Sequence, residues 1–238
     1  MNFLWTEDTG AGFHFWNLLN LYAFDGSLNV ESKQSNQGIL DAVRELTPNI
    51  DDHYYIAFDI VYDNMDVVNK YLELMELSSK HPGQIHILDM ICFEHFILTF
   101  HNLVKWTGCN RQDKIRIREV LLGVITEHQI DLDAIEDEET LHYLMGFKRY
   151  STERVLKSIT YEMTDNDTWS VKGNFLGICW FKDCCAKKIE EPDKRRCGCK
   201  RDLSGSEKFM KLITESMAEH TVKEIVRDSN CSFSSAPS

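Results

Sequence analysis

The chain has 238 residues, 43% of them hydrophobic and 27% charged, enough for one domain with an appendage or two small domains. A net charge of −12 argues against indiscriminate nucleic-acid binding, which needs clustered Lys and Arg to release counterions, but bound metal ions can offset an acidic site that acts on phosphates. No apolar run reaches the ~18 residues of a membrane span, and the first residues lack the basic region and long apolar core of a secretory signal. The eight cysteines therefore point to a reducing, cytoplasmic setting in which metal ligation or buried thiols outweigh disulfides.

In chain order, Asn2–Thr6 reads as a short apolar strand that breaks at Glu7-Asp8-Thr9-Gly10. Residues 10–22 follow at helical spacing, with Phe13, Trp16, Leu19 and Tyr22 on one face. Asp25-Gly26 is a turn signal, Ser27 to Glu31 a second strand, and Ser35 the cap of a helix that runs to about Leu46 before Pro48. Residues 54–58 form a third strand. Asn64 caps a long helix to about Lys80, ended by His81-Pro82-Gly83. Residues 84–88 form a fourth strand, and 92–106 a strongly apolar helix. Strands alternating with helices of this length predict an α/β fold with a mostly parallel sheet covered on both faces.

Beyond Gly108 the pattern changes. Segments 111–129 and 138–164 read as helices with no strand between them, 168–177 as a loop or short hairpin, 179–199 as a cysteine-rich stretch, and 206–227 as a last helix. The expected organisation is an α/β domain over 1–108, a helical segment over 109–166, a Cys-rich region with its C-terminal helix over 167–228, and a disordered tail over 229–238.

Three of the four strands of the first domain exit at acidic residues. Glu7 follows the first, Asp59 and Asp63 the third, Asp89 the fourth, and Glu94 opens the next helix. Strand carboxyl ends of an open parallel sheet share one edge, where ligands bind. Converging carboxylates repel unless a cation neutralises them, so the pattern suggests a Mg²⁺ or Mn²⁺ site. The plainer alternatives are that Asp8 or Thr9 caps the first helix, that Asp63 or Asn64 caps the second, and that Glu94 complements a helix dipole.

These residues carry a family resemblance. A strand ending in Glu, then a glycine and helix, then a later strand ending in Asp resembles the TOPRIM fold of topoisomerases, primases and OLD-family nucleases. Phe3-Leu4-Trp5-Thr6-Glu7-Asp8-Thr9-Gly10 and Ile91-Cys92-Phe93-Glu94-His95-Phe96-Ile97-Leu98-Thr99-Phe100 are similar to two segments of RloB-like proteins. The resemblance covers about residues 1–106. It implies Glu7 as general acid/base and Asp59 as a metal ligand and supports Glu94 as a further one, while Asp63 and Asp89 are candidate ligands from their places after the strands. It implies a metal-dependent nuclease of antiphage defence or a mobile element. The chain departs from the family pattern at Val61, where the second acid of an Asp-x-Asp pair would stand, and at Gly10, which is displaced from the Glu. The competing expectation is an inactive TOPRIM-like module that binds a partner ATPase or nucleic acid through its Cys-rich region. The chain has no GxxxxGK[ST] phosphate loop of its own.

The second chemical signal is Cys179, Cys184, Cys185, Cys197 and Cys199. Tetrahedral zinc takes four ligands, commonly as two close pairs. Cys179 with Cys184 or Cys185, and Cys197 with Cys199 across Gly198, supply them for a structural Zn²⁺. The alternative is a set of unligated thiols. Lys187, Lys188, Arg195, Arg196, Lys200 and Arg201 gather around the cluster as candidate nucleic-acid contacts, or as a solvated loop partly cancelled by Glu190, Glu191 and Asp193.

Overall fold

The computed structural model describes residues 1–9, 12–13, 15–17, 20, 24–88, 90–99, 103–104 and 109–164, and the backbone alone of 171–172 and 175–178. Asp89, the five candidate zinc cysteines, the six candidate nucleic-acid contacts and the expected last helix lie outside the described residues.

The molecule is an α/β fold around a four-stranded parallel sheet, β1 (Asn2–Thr6), β2 (Leu28–Ser32), β3 (His53–Ala57) and β4 (Ile85–Ile87), in the order β2-β1-β3-β4. The register aligns Thr6 with both Ser32 and Ala57, so the strands of the inner pair and β2 end level with one another. Side chains alternate across the sheet with period two. Trp5, Tyr54 and Ile56 enter one core with Ile39, Leu40 and Val43 of α1 (Asn36–Arg44) and Leu74 of α2 (Met65–Ser78). Leu4, Tyr55 and Ala57 face the other, with Phe15, Trp16 and α3 (Phe93–Leu98).

The caps follow from residue chemistry. The Ser35 side chain accepts from the Gly38 amide and the Asn64 side chain from the Asp66 amide, each satisfying an orphan donor of its helix. Gly38 is required where it stands, because a Cβ there would lie 2.0 Å from the Lys33 carbonyl oxygen.

The helical segment shares the second core. Ile117 and Leu121 of α4 (Gln112–Gly123), Leu144 of α5 (Glu138–Met145), and Val155, Leu156, Ile159 and Met163 of α6 (Thr152–Thr164) pack with the sheet and α3. Two sequence expectations fail here. The 111–129 helix stops at Gly123 and is followed by a hairpin of β5 (Ile125–Thr126) and β6 (Gln129–Ile130). Its two-residue turn, Glu127-His128, has both φ angles positive, at 45° and 61°, as a type I′ turn requires. Neither residue is a Gly, Asn or Asp, so the usual sequence signal is missing. The 138–164 helix is two helices, broken at Gly146. The expected loop or hairpin near 170 is an antiparallel pair, β7 (Val171–Lys172) and β8 (Phe175–Ile178). Among the described residues, no helix is long and apolar enough to cross a membrane.

Candidate functional site

The parallel register brings the exits of β1 and β3 to one edge. Glu7 follows β1 directly and Asp59 lies two residues past β3. Beyond the strands, the Ile60 amide donates to the Ile91 carbonyl at 2.8 Å, tying the β3 exit to the segment that leads into α3. Glu94 therefore opens α3 on the same edge.

The Glu7 carboxyl neighbours that of Asp59, and its negative charge acts on it. Two carboxylates have acceptors only, so a direct contact between them would need a proton or a cation. Asp59 is 6% exposed, and its acidity is weakened well beyond the usual carboxylate range by burial first, then by the negative charges of Glu7 and Asp8. Glu94 is buried too, and burial raises its pKa to about 7 against the opposing pull of Lys157. Asp8 rises to about 6, again chiefly by burial, although Trp16 Nε1 (2.7 Å) and Thr6 Oγ1 (2.9 Å) both donate to its Oδ2. Gly12 makes room for that carboxylate, since a Cβ there would sit 2.4 Å from Asp8 Oδ1.

Two residues that the sequence reading did not select complete the edge. Asn36, the first residue of α1, donates its amide to Glu7 Oε2 at 3.0 Å and its side-chain Nδ2 to the Asp59 carbonyl oxygen at 3.2 Å. Its Oδ1 is buried with no hydrogen-bond partner. Lys157 arrives from α6 and pairs with Glu153 one turn earlier. Burial works against its charge, but Glu94, Glu153 and Asp59 outweigh burial and hold the ammonium above an ordinary lysine. The Cys92 thiol caps α3 by accepting from the His95 amide at 3.4 Å, and burial pushes its pKa up. It is a packed, inert thiol.

The remaining candidate of the described region is placed elsewhere. Asp63 does not turn back toward Asp59; its Oδ2 accepts from the Thr152 amide at 2.6 Å and so fixes the start of α6. That contact positions Lys157 five residues later. Val61 is fully buried in the apolar core, so an acid at that place would have no solvent and no partner.

The donor set is hard oxygen throughout, with an orphaned buried amide oxygen beside an acid pair, and it fits a divalent cation of the Mg²⁺ class by chemistry. Among the described residues, no three His, Cys, Asp or Glu side chains form a metal-holding group by themselves. No protein-family model, curated protein or solved structure matches the chain.

Proposed function

We propose that the carboxyl edge of the sheet is the active site of a divergent TOPRIM-like protein that performs Mg²⁺- or Mn²⁺-dependent phosphoryl transfer, most simply phosphodiester hydrolysis. The observation that carries this reading is the gathering of buried and half-buried acid. Glu7, Asp8, Asp59 and Glu94 meet at one sheet edge, where Lys157 already serves Glu153. In this reading Asp59 holds the cation, together with Glu94 and Asp89. A divalent cation in that place would polarise a phosphodiester oxygen and make water a better nucleophile. Glu7 accepts and returns a proton, a role suited to a partly exposed carboxyl at the edge. Lys157 presents a fixed positive charge toward a bound phosphate.

The reading extends to a structural Zn²⁺ on Cys179, Cys184 or Cys185, Cys197 and Cys199, to nucleic-acid contacts by the basic residues around them, and to a setting in antiphage defence or a mobile element. The test is hydrolysis of single- and double-stranded DNA and RNA by the full chain with Mg²⁺ or Mn²⁺. Glu7→Gln should lower the rate by about 10²–10⁴-fold, the contribution of a positioned acid/base group. Cleavage equally fast with Glu7→Gln would reject the assignment of Glu7. A second reading, an interaction module without catalysis that binds a partner ATPase or nucleic acid, is favoured by the burial of Val61 where the family pattern has an acid. It predicts no cleavage under any of these conditions.

A further inference from the structure

We propose that Asn36 is a neutral oxygen ligand for a divalent cation at the Glu7–Asp59 pair, an inference that rests on the metal-site reading above. Asn36 is 8% exposed and straddles the pair. Its backbone amide is on the Glu7 carboxylate and its Nδ2 is on the main-chain oxygen of Asp59.

The orientation of the amide is fixed by that second bond, because a flipped group would set Oδ1 against the Asp59 carbonyl oxygen, acceptor against acceptor. Oδ1 is therefore committed to the remaining direction, where it is buried and has no hydrogen-bond partner. Buried acceptors of this kind are nearly always satisfied, and an exception asks for an unplaced water or ion. Two further observations choose the ion. The neighbouring groups are the carboxyl of Glu7, which accepts the Asn36 amide, and that of the buried Asp59. Side-chain amide oxygens are also regular ligands of hard cations.

A neutral ligand suits this position better than another acid. The edge already carries Glu7, Asp8, Asp59 and Glu94, and a further carboxylate would add repulsion without a matching charge. Among the described residues no His, Cys, Asp or Glu trio forms a metal-holding group, and the Asn36 amide adds an oxygen of another kind to the carboxyls of the edge. The first turn of α1 delivers it, held by the Ser35 cap and by the close approach of Gly38 to Lys33.

The experiment is calorimetric titration of the full chain with MnCl₂ and MgCl₂, alongside the melting temperature in chelator and in saturating Mn²⁺. Wild type should bind, and Asn36→Ala should bind at least tenfold more weakly with a smaller Mn²⁺-induced rise in melting temperature. Asn36→Asp keeps an oxygen at the position, so it should bind Mn²⁺ at least as tightly as wild type although it loses the donor to Asp59. If wild type binds and Asn36→Ala binds equally well, Oδ1 holds no more than a water and the inference falls, while the Glu7–Asp59 site stands. If Asn36→Ala does not fold, weaker binding by Asn36→Asp overturns the inference. If wild type binds neither ion, the metal-site reading and this inference fall together.

Discussion

Asp52 and Asp59 flank the same strand and are equally hidden, at 5% and 6% exposure, yet their environments are opposite. Asp52, at the amino end of β3, takes the terminal ammonium of Met1 at 2.7 Å and the Asn49 side chain at 2.8 Å. The Met1 ammonium and Asn49 hold its carboxyl below the usual range. Asp59, at the carboxyl end, faces other acids, and burial and their charge drive it the other way. One sheet end is electrostatically closed by groups of the chain. The other, among the described residues, gathers more acids than cations, which stability alone would not favour. That contrast is the reason to place function at the carboxyl end.

The comparison can be broken most forcefully by removing the cation of the carboxyl end. Lys157→Met would leave the buried Glu94 and the half-buried Glu153 without their counter-charge; with Lys157 and Glu153 32% and 26% exposed, solvent screening brings the cost below that of a fully buried pair, to about 2–3 kcal/mol. Urea unfolding at pH 7.5 should show that loss, and at pH 5 a smaller one, because the raised carboxyls are then protonated.

Removing an acid from the same end should act in reverse. The Glu94 pKa is raised, mainly by burial, to about 7 from an ordinary value near 4.5, so the folded state binds the extra proton. The stabilisation this gives is fully present below pH ~4.5 and is lost as pH rises through 7. In chelator, Glu94→Gln should therefore stabilise the protein at pH 7.5 by on the order of 1–3 kcal/mol, with little gain at pH 4.5. His95 sets the opposite limit: burial lowers its pKa to about 4, so its contribution falls away as pH drops from ~6.5 toward 4. The two windows overlap from about pH 4.5 to 6.5, so these two groups leave stability nearly level there and let it fall on either side; Glu94→Gln should remove the alkaline fall and move the maximum upward in pH, which checks both signs.

The smallest effect belongs to the amino end. Asp52→Asn breaks the Met1 ion pair but leaves the Asn49 contacts and other backbone bonds nearby, so the melting temperature should fall by roughly 2 °C. The fall should shrink in high salt, since the Met1 ammonium is exposed.

The fold of the first hundred residues was readable because local rules agree there. Strand ends, the Ser35 and Asn64 caps, and the acids Glu7, Asp59 and Glu94 all follow from short-range pattern. Asn36 and Lys157 were not readable. Asn36 matters only because β1 and β3 lie side by side, and Lys157 only because α6 packs against α3 across some sixty residues of chain. Asp63 shows the limit in one residue: its acidic position after a strand looked like a ligand's, yet its partner is the Thr152 amide, far along the sequence. The hairpin at 125–130 was hidden because Glu127 and His128 occupy left-handed positions with no local signature.

The most direct test of the account is the melting temperature of wild type, Asp59→Asn and Asp52→Asn, each measured in chelator and in saturating Mn²⁺. The account predicts that in chelator Asp59→Asn melts higher than wild type and Asp52→Asn lower, and that Mn²⁺ raises wild type and Asp52→Asn but not Asp59→Asn. If Asp59→Asn is destabilised in chelator as Asp52→Asn is, and Mn²⁺ shifts all three proteins alike, the two ends of β3 are equivalent and the carboxyl edge is not a cation site.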